Sequence, residues 1–252
     1  MIRLGLCSIT FRKLTPAAIL ALARQANLDA IEWGGDVHVP HGDVDTAHTV
    51  RRMTRDEGLE IPSYGSYYRV GQAPERFEDV LSTAVALGAP VIRVWAGTVG
   101  SPEATRATWD SVVADTQRIA TLAQAEGLRI AFEYHGNTLT DTDEAAIRLL
   151  TDVNHPAVRC YWQMRESAVS LVEHLEGLLS VLPWLEHVHV QASQAGQRVP
   201  LDTQADAWRK ILGVVASTGR DHTALLEFVR DDSPEQFLAD AATLRSLRGD
   251  TR

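Results

Sequence analysis

Two cysteines in 252 residues, Cys7 and Cys160, are too few and too far apart for a disulfide framework, and no CxxC pair is present to hold a metal or exchange disulfides. Long apolar runs are missing too. Nowhere do about 18 apolar residues run uninterrupted, so no stretch reads as a membrane-spanning helix. The opening MIRLGLCSITFRKL has too short an apolar stretch for a signal peptide and passes straight into a patterned strand, which predicts an unprocessed, cytoplasmic protein. Positive charge is scarce and unclustered: 24 Lys and Arg stand against 33 Asp and Glu, for a formal charge of −9. A chain so charged has little with which to hold a phosphate backbone, so nucleic acid is not an expected partner. Also absent are a GxGxxG turn after a strand, a Walker loop, a GxSxG elbow and a lysine in a VxIK setting, so nucleotide cofactors and serine hydrolase chemistry have no support.

What is present is alternation. Short β-rich runs are each followed by an amphipathic stretch: IRLGLCS by 15–26, AIEWGG by 44–57, EIPSYGSYY by 75–87, VIRVWAG by 103–126, RIAFEYH by 141–151, VRCYWQ by 167–181, EHVHVQA by 204–216 and TALLEFV by 234–248. Eight such units with short connections predict an α/β fold, a single (β/α)8 TIM barrel occupying residues 1–252 as one domain. The 45% hydrophobic content suffices for its core. Thr15-Pro16, Ser101-Pro102, Asp141 and Ser233-Pro234 are expected helix entries, while Gly58, Gly88 and Gly127 are expected left-handed stops. Residues 192–203 form the one expected long loop.

In such a barrel the strand ends that feed into helices carry the chemistry. Four segments end an apolar run on a metal-capable group: Glu133 in IAFEYH, Gln163 in VRCYWQ, His189 in HVHVQ and Glu227 in ALLEFV. Buried strands seldom end this way unless something neutralises the charge. Two carboxylates, an imidazole and an amide oxygen make a mixed site that one divalent ion (Mn²⁺, Mg²⁺, Co²⁺ or Zn²⁺) balances. The plain alternative makes each a satisfied polar residue at a strand terminus. With an ion holding two vicinal substrate oxygens, Glu133 and Glu227 are the expected acid–base pair for proton transfer beside a carbonyl, through a cis-enediolate, as in isomerisation or epimerisation. The same first half-reaction followed by loss of a β-hydroxyl is a dehydration. A third reading is a non-catalytic sugar-binding barrel with a degenerate metal site.

Trp33, Tyr64, Trp95 and Trp162 are expected to wall the pocket by stacking on a sugar face. His38, in DVHVPHGD, is expected to contact substrate from a loop, since Pro40 and Gly42 break any spacing that would set two imidazoles on one helix face. His135, two residues past Glu133, should reach the mouth; His187, two before His189, should lie a layer deeper as a hydrogen-bonded core histidine. Arg69, Arg93 and Arg198 are the cations expected to face the pocket, to bind an anionic group or to pair with acids such as Asp36.

Taken in order, IEWGGDVHVPHGD, SYGSYYR, IRVWAG, FEYHGNTLTD, YWQ, HVHVQ with RVPL and Trp208, and LLEFV with DDSPEQF resemble the xylose-isomerase-like TIM-barrel proteins, grouped as sugar phosphate isomerases/epimerases, over essentially the whole chain. The resemblance implies that Glu133 and Glu227 are the metal-bound catalytic glutamates and His189 the metal-bound histidine. Gln163 stands where many members have Asp, a departure that should lower metal affinity because an amide oxygen adds no charge. A small carbohydrate or related polyhydroxy carbonyl compound is the implied substrate, with no membrane partner and with a homo-oligomer left open. The group includes ketose epimerases, hydroxypyruvate isomerase, inosose and dehydroshikimate dehydratases, and the DNA-repair endonuclease IV proteins. The three-zinc cluster and basic surface of the last find no counterpart in this sequence.

Overall fold

The computed structural model describes residues 1–72, 76–165 and 170–249. Its strands are β1 (Ile2–Cys7), β2 (Ala30–Gly34), β3 (Tyr64–Arg69), β4 (Val91–Trp95), β5 (Arg129–Phe132), β6 (Val158–Trp162), β7 (Leu185–Val190), the short β8 (Ser193–Gln194) and β9 (Gln197–Arg198), and β10 (His222–Leu226). Between them run α1 (Pro16–Gln25), α2 (Val44–Asp56), α3 (Phe77–Leu87), α4 (Arg106–Ala125), α5 (Asp143–Val153), α6 (Leu171–Val181), α7 (Ala205–Ser217) and α8 (Pro234–Gly249). The strands β1-β10-β7-β6-β5-β4-β3-β2 close into a parallel ring, the (β/α)8 barrel that the alternation predicts. Among the described residues no helix is long and apolar enough to cross a membrane.

Local chemistry sets the boundaries. Thr15 caps α1 with Pro16 behind it, as expected, and Ser233 Oγ accepts from the Gln236 amide at the start of α8. Asp141 does not cap α5; its carboxylate accepts from the Ser101 amide at 2.9 Å, and Thr142 takes the cap instead. Ser101-Pro102 opens one 3₁₀ turn, and α4 begins after Thr105. Gly88 ends α3 at φ 75°, with the Arg51 side chain 2.8 Å from where a Cβ would stand. Strand β3 starts at Tyr64 rather than Glu60, because Pro62 has no N–H for the ladder; Glu60 makes one isolated bridge to Ala30. The expected helix starts at 75 and 167 lie outside the described residues, and the expected 192–203 loop holds the β8–β9 hairpin.

Alternation along the strands divides the interior in two. One parity faces the helices and builds the larger core, with Trp33, Trp162 and Trp208 fully buried in it. The other parity faces the lumen, where the apolar filling is short: Cys7, Ile9, Val91, Ala131, Tyr161 and Leu225, with Tyr67 and Phe228 packed on top. Each fully buried Leu, Ile or Val contributes about 1.5–3 kcal/mol, so the outer layer carries the stability and the inner one is free to be polar.

Candidate active site

Above the apolar plug, Glu32, Arg93 and His189 on their strands and Glu133, Gln163 and Glu227, each the first residue past β5, β6 and β10, turn toward the lumen. A guanidinium only 1% exposed must be paired, and Arg93 is: Nε donates to Glu32 Oε1 at 2.9 Å and Nη1 donates to Glu133 Oε2. Gly65 makes room for it, since a Cβ there would come within 2.6 Å of Arg93 Nη2. Glu32 Oε2 accepts from Ser63 Oγ at 2.6 Å and from Tyr161 Oη at 2.8 Å. Burial works against a charge on Glu32, but Arg93 and then His189 and Ser63 outweigh it, and the carboxyl titrates well below its usual range.

His189, wholly buried, divides this cluster. Its Nε2 edge lies 3.5 Å from Cys7 Sγ and 3.6 Å from Glu32 Oε1, two residues that are register partners on β1 and β2. The Nδ1 edge lies 3.2 Å from Glu227 Oε2 and 3.7 Å from Glu133 Oε1, yet makes no hydrogen bond among the described residues. Burial penalises a charge on this ring, but Cys7 and Glu227 outweigh the penalty and raise it well above the ordinary imidazole value, so a cation ligated at Nδ1 would have to displace the proton there. Gln163 donates its amide to the Tyr134 carbonyl, leaving Oε1 buried and without a partner among the described residues.

Two buried atoms without a hydrogen-bond partner among the described residues, Gln163 Oε1 and His189 Nδ1, therefore lie with the inward oxygens of Glu133 and Glu227. That donor set fits a divalent cation. Cys7, His189 and Glu227 also approach within 4.8 Å of one another. Cys7, however, sits on the Nε2 edge and Glu227 on the Nδ1 edge, and the lone pairs of the two nitrogens point to opposite sides of the ring. Burial and Glu32 push the Cys7 thiol up, so it stays protonated and is a poor ligand.

A cavity of about 270 Å³ opens above Glu133, Gln163 and Glu227. Trp95 and His135 line it as expected, their rings stacked at 4.1 Å, and Trp95 Nε1 donates to Glu133 Oε2 at 2.5 Å. Arg69, expected to face the pocket, is not among the lining residues; its guanidinium lies 4.1 Å from the ring centre of Trp95, which is. The other expected wall residues are elsewhere. Trp33 faces α2, its indole donating to Thr54 Oγ1 at 3.1 Å, and Tyr64 donates to the Val39 carbonyl at 2.7 Å. Trp162 packs edge-on against Trp208 in the outer layer. All three have the outward parity, next in sequence to lumen-facing neighbours. His38 is spent on Ser8 Oγ at 2.9 Å and the Leu14 carbonyl at 3.2 Å, and Arg198 pairs with Asp232 at 2.6 Å on the surface. His187 lies a layer deeper, as expected, where burial lowers it to about 4.

Residues outside the expected wall set complete it. Arg12, Tyr67, Gln191 and Phe228 line the cavity. Tyr67 and Phe228 hold φ of 57° and 56°, left-handed values that cost bulky residues on the order of 1–3 kcal/mol each. At Tyr67 the cause is a register shift between Gly65 and Tyr68 against β4, which turns the phenol into the mouth. Arg12 pairs with Asp36 and donates through Nη2 to Tyr67 Oη at 3.1 Å.

A family model described as xylose isomerase-like TIM barrel matches residues 20–247. The chain belongs to that family. Among curated proteins it is similar to a 3-dehydroshikimate dehydratase of Bacillus anthracis, 24% identical over 195 residues, covering 73% of this chain and 70% of that protein. Among solved structures it resembles a probable 3-DHS dehydratase involved in petrobactin synthesis in the same organism (TM-score 0.83, 22% identity, 96% and 98% of the two chains). It also resembles D-psicose 3-epimerase of Clostridium cellulolyticum with D-tagatose (0.77, 14%, 99% of each). A third likeness is to a xylose isomerase-like barrel protein of Mycobacterium smegmatis in complex with magnesium (0.76, 17%, 99% and 98%). At such identities the structural likenesses speak to the fold.

Proposed function

We propose that this xylose isomerase-like barrel is a divalent-metal-dependent lyase that dehydrates a small polyhydroxylated ketone carrying a carboxylate. Glu133, Gln163, His189 and Glu227 hold the ion. When bound, it would act as a Lewis acid on the substrate carbonyl and lower the cost of forming an enolate. Glu227 removes the proton from the carbon beside the carbonyl.

The unequal situation of the two glutamates carries this reading. Glu133 Oε2 is taken by Arg93 and Trp95, and its other oxygen faces His189. No oxygen of Glu133 remains for proton transfer. Glu227 turns Oε2 to His189, while its Oε1 has no donor among the described residues. Epimerisation needs a proton taken from one face and returned to the other, hence two working groups; elimination from an enolate needs one base. The sequence relative named as a 3-dehydroshikimate dehydratase favours the same choice. So does Arg69, a cation stacked on the cavity-lining Trp95 with no carboxylate partner among the described residues, which suits an anionic substrate. Isomerisation or epimerisation is the second reading, favoured by two carboxylates flanking one imidazole edge.

The test is metal-stripped protein reloaded with Mn²⁺ and incubated in D₂O with 3-dehydroshikimate and, separately, D-tagatose. The lyase forms a conjugated product from 3-dehydroshikimate, followed by ultraviolet absorbance, and Glu227→Gln slows it by about 10²- to 10⁴-fold. Epimer and deuterium wash-in from D-tagatose without any dehydration would establish the second reading instead. Neither metal uptake nor exchange would leave a sugar-binding barrel.

A further inference from the structure

Dehydration poses two proton problems, and Glu227 solves one. The departing oxygen takes the C–O bonding pair with it, and hydroxide leaves poorly unless it gains a proton. Most donors lining the cavity are already committed. Trp95 Nε1 is on Glu133, the Gln163 amide is on the Tyr134 carbonyl, and Arg12 is on Asp36 and Tyr67. His135 is committed through Nδ1, which donates to the Gly136 carbonyl at 2.6 Å, and through its ring, which stacks on Trp95. Guanidinium, indole and amide groups do not give up protons near neutral pH in any case. Tyr67 differs: its phenol oxygen accepts from Arg12 Nη2 at 3.1 Å, and its own proton has no acceptor among the described residues.

We propose that Tyr67 protonates the departing β-hydroxyl. The inference rests on the lyase reading above. Glu227 takes the α-proton, the C–H pair becomes the new C=C bond, the C–O pair leaves on oxygen, and the Tyr67 proton joins that oxygen to release water. The proton collected by Glu227 returns to the phenolate through solvent, so the cycle consumes nothing but substrate. Arg12 Nη2 at the phenol oxygen and the Arg93 guanidinium 5.2 Å from the ring centre stabilise the transient phenolate. Burial raises the Tyr67 phenol while Arg93 and Arg12 pull it back, which keeps it a neutral donor in the resting enzyme. The left-handed backbone at Tyr67 has a purpose on this account: an unstrained β3 would not present the hydroxyl to the cavity.

Tyr67→Phe, which keeps the ring packed 5.6 Å from Trp95, is assayed with Mn²⁺ on 3-dehydroshikimate and on its analogue bearing fluorine in place of the β-hydroxyl. Fluoride leaves without a proton. Loss of water should slow by about 10²- to 10⁴-fold, while loss of fluoride and deuterium exchange at the α-carbon stay within a few-fold of wild type. Equal rates for Tyr67→Phe and wild type on the hydroxyl substrate overturn the assignment and leave the lyase reading standing; a parallel fall on both substrates also overturns it, since the residue is then structural. Wild-type protein that exchanges protons on D-tagatose and eliminates from neither compound ends the lyase reading, and this inference with it.

Discussion

A thiol is an unusual group to find behind a metal-facing histidine, where a carboxylate or a carbonyl commonly receives the second ring N–H. Cys7 Sγ donates to Glu32 Oε1 at 3.3 Å, so what it offers to His189 Nε2 at 3.5 Å is a lone pair. That keeps a proton on Nε2, so the proton a cation would displace is the one on Nδ1, toward Glu133 and Glu227. Cys7→Ala should therefore weaken Mn²⁺ binding by about 10- to 100-fold, the usual cost of losing such support, with the barrel still folded. Cys7→Ser, which can accept and donate in the same sense, should recover most of it. Titration calorimetry decides: unchanged affinity in Cys7→Ala removes Cys7 from the relay.

At the scale of the strand, parity sorts functional residues from structural ones. The eight strand–helix units were legible because apolar runs and caps repeat, and the inward placement of Glu133, Gln163, His189 and Glu227 was legible because a polar group at the end of a buried run is costly unless it has a partner. Period two placed His187 beneath His189 and His135 above Glu133. The same rule applied to the aromatics puts Trp33 beside Glu32 and Trp162 beside Gln163 on the opposite, helix-facing side, where aromatic chemistry alone had suggested a sugar platform. Tyr67 escaped for a different reason: a register shift re-aims it, and no periodicity anticipates a bulge. Trp162→Ala should thus cost about 3–5 kcal/mol of stability while the folded fraction keeps its activity within a few-fold. Trp95→Phe should do the reverse, holding the melting temperature and losing activity, because it strips a donor from Glu133. A paired thermal melt and assay of the two variants checks both; loss of activity without loss of stability in Trp162→Ala would put that indole back at the substrate.

For the whole molecule, the site exists only when the ring is closed. Cys7 ends β1 and Glu227 directly follows β10, the first and last barrel strands, whose pairing from Ile2↔His222 to Leu6↔Leu226 brings the two together. Glu32 reaches Tyr161 across the lumen, and Arg93 ties Glu32 of β2 to Glu133 at the end of β5. In that lumen three buried carboxylates, Glu32, Glu133 and Glu227, face one buried guanidinium, Arg93, an excess of negative charge that a divalent cation removes. An ion bound there adds to global rather than local stability, because the unfolded chain has no such site. At a hundredfold excess over its dissociation constant it contributes about 2.7 kcal/mol, which for a chain of this length raises the melting temperature by about 5–10 °C. Scanning calorimetry of metal-stripped protein with and without Mn²⁺ measures the rise. Glu227→Gln should erase most of it, whereas Glu60→Gln, which disturbs only a surface pair with Arg3, should leave it intact. An equal rise in Glu227→Gln would mean that the cation binds outside the barrel mouth, and the excess charge in the lumen would then need another counterweight.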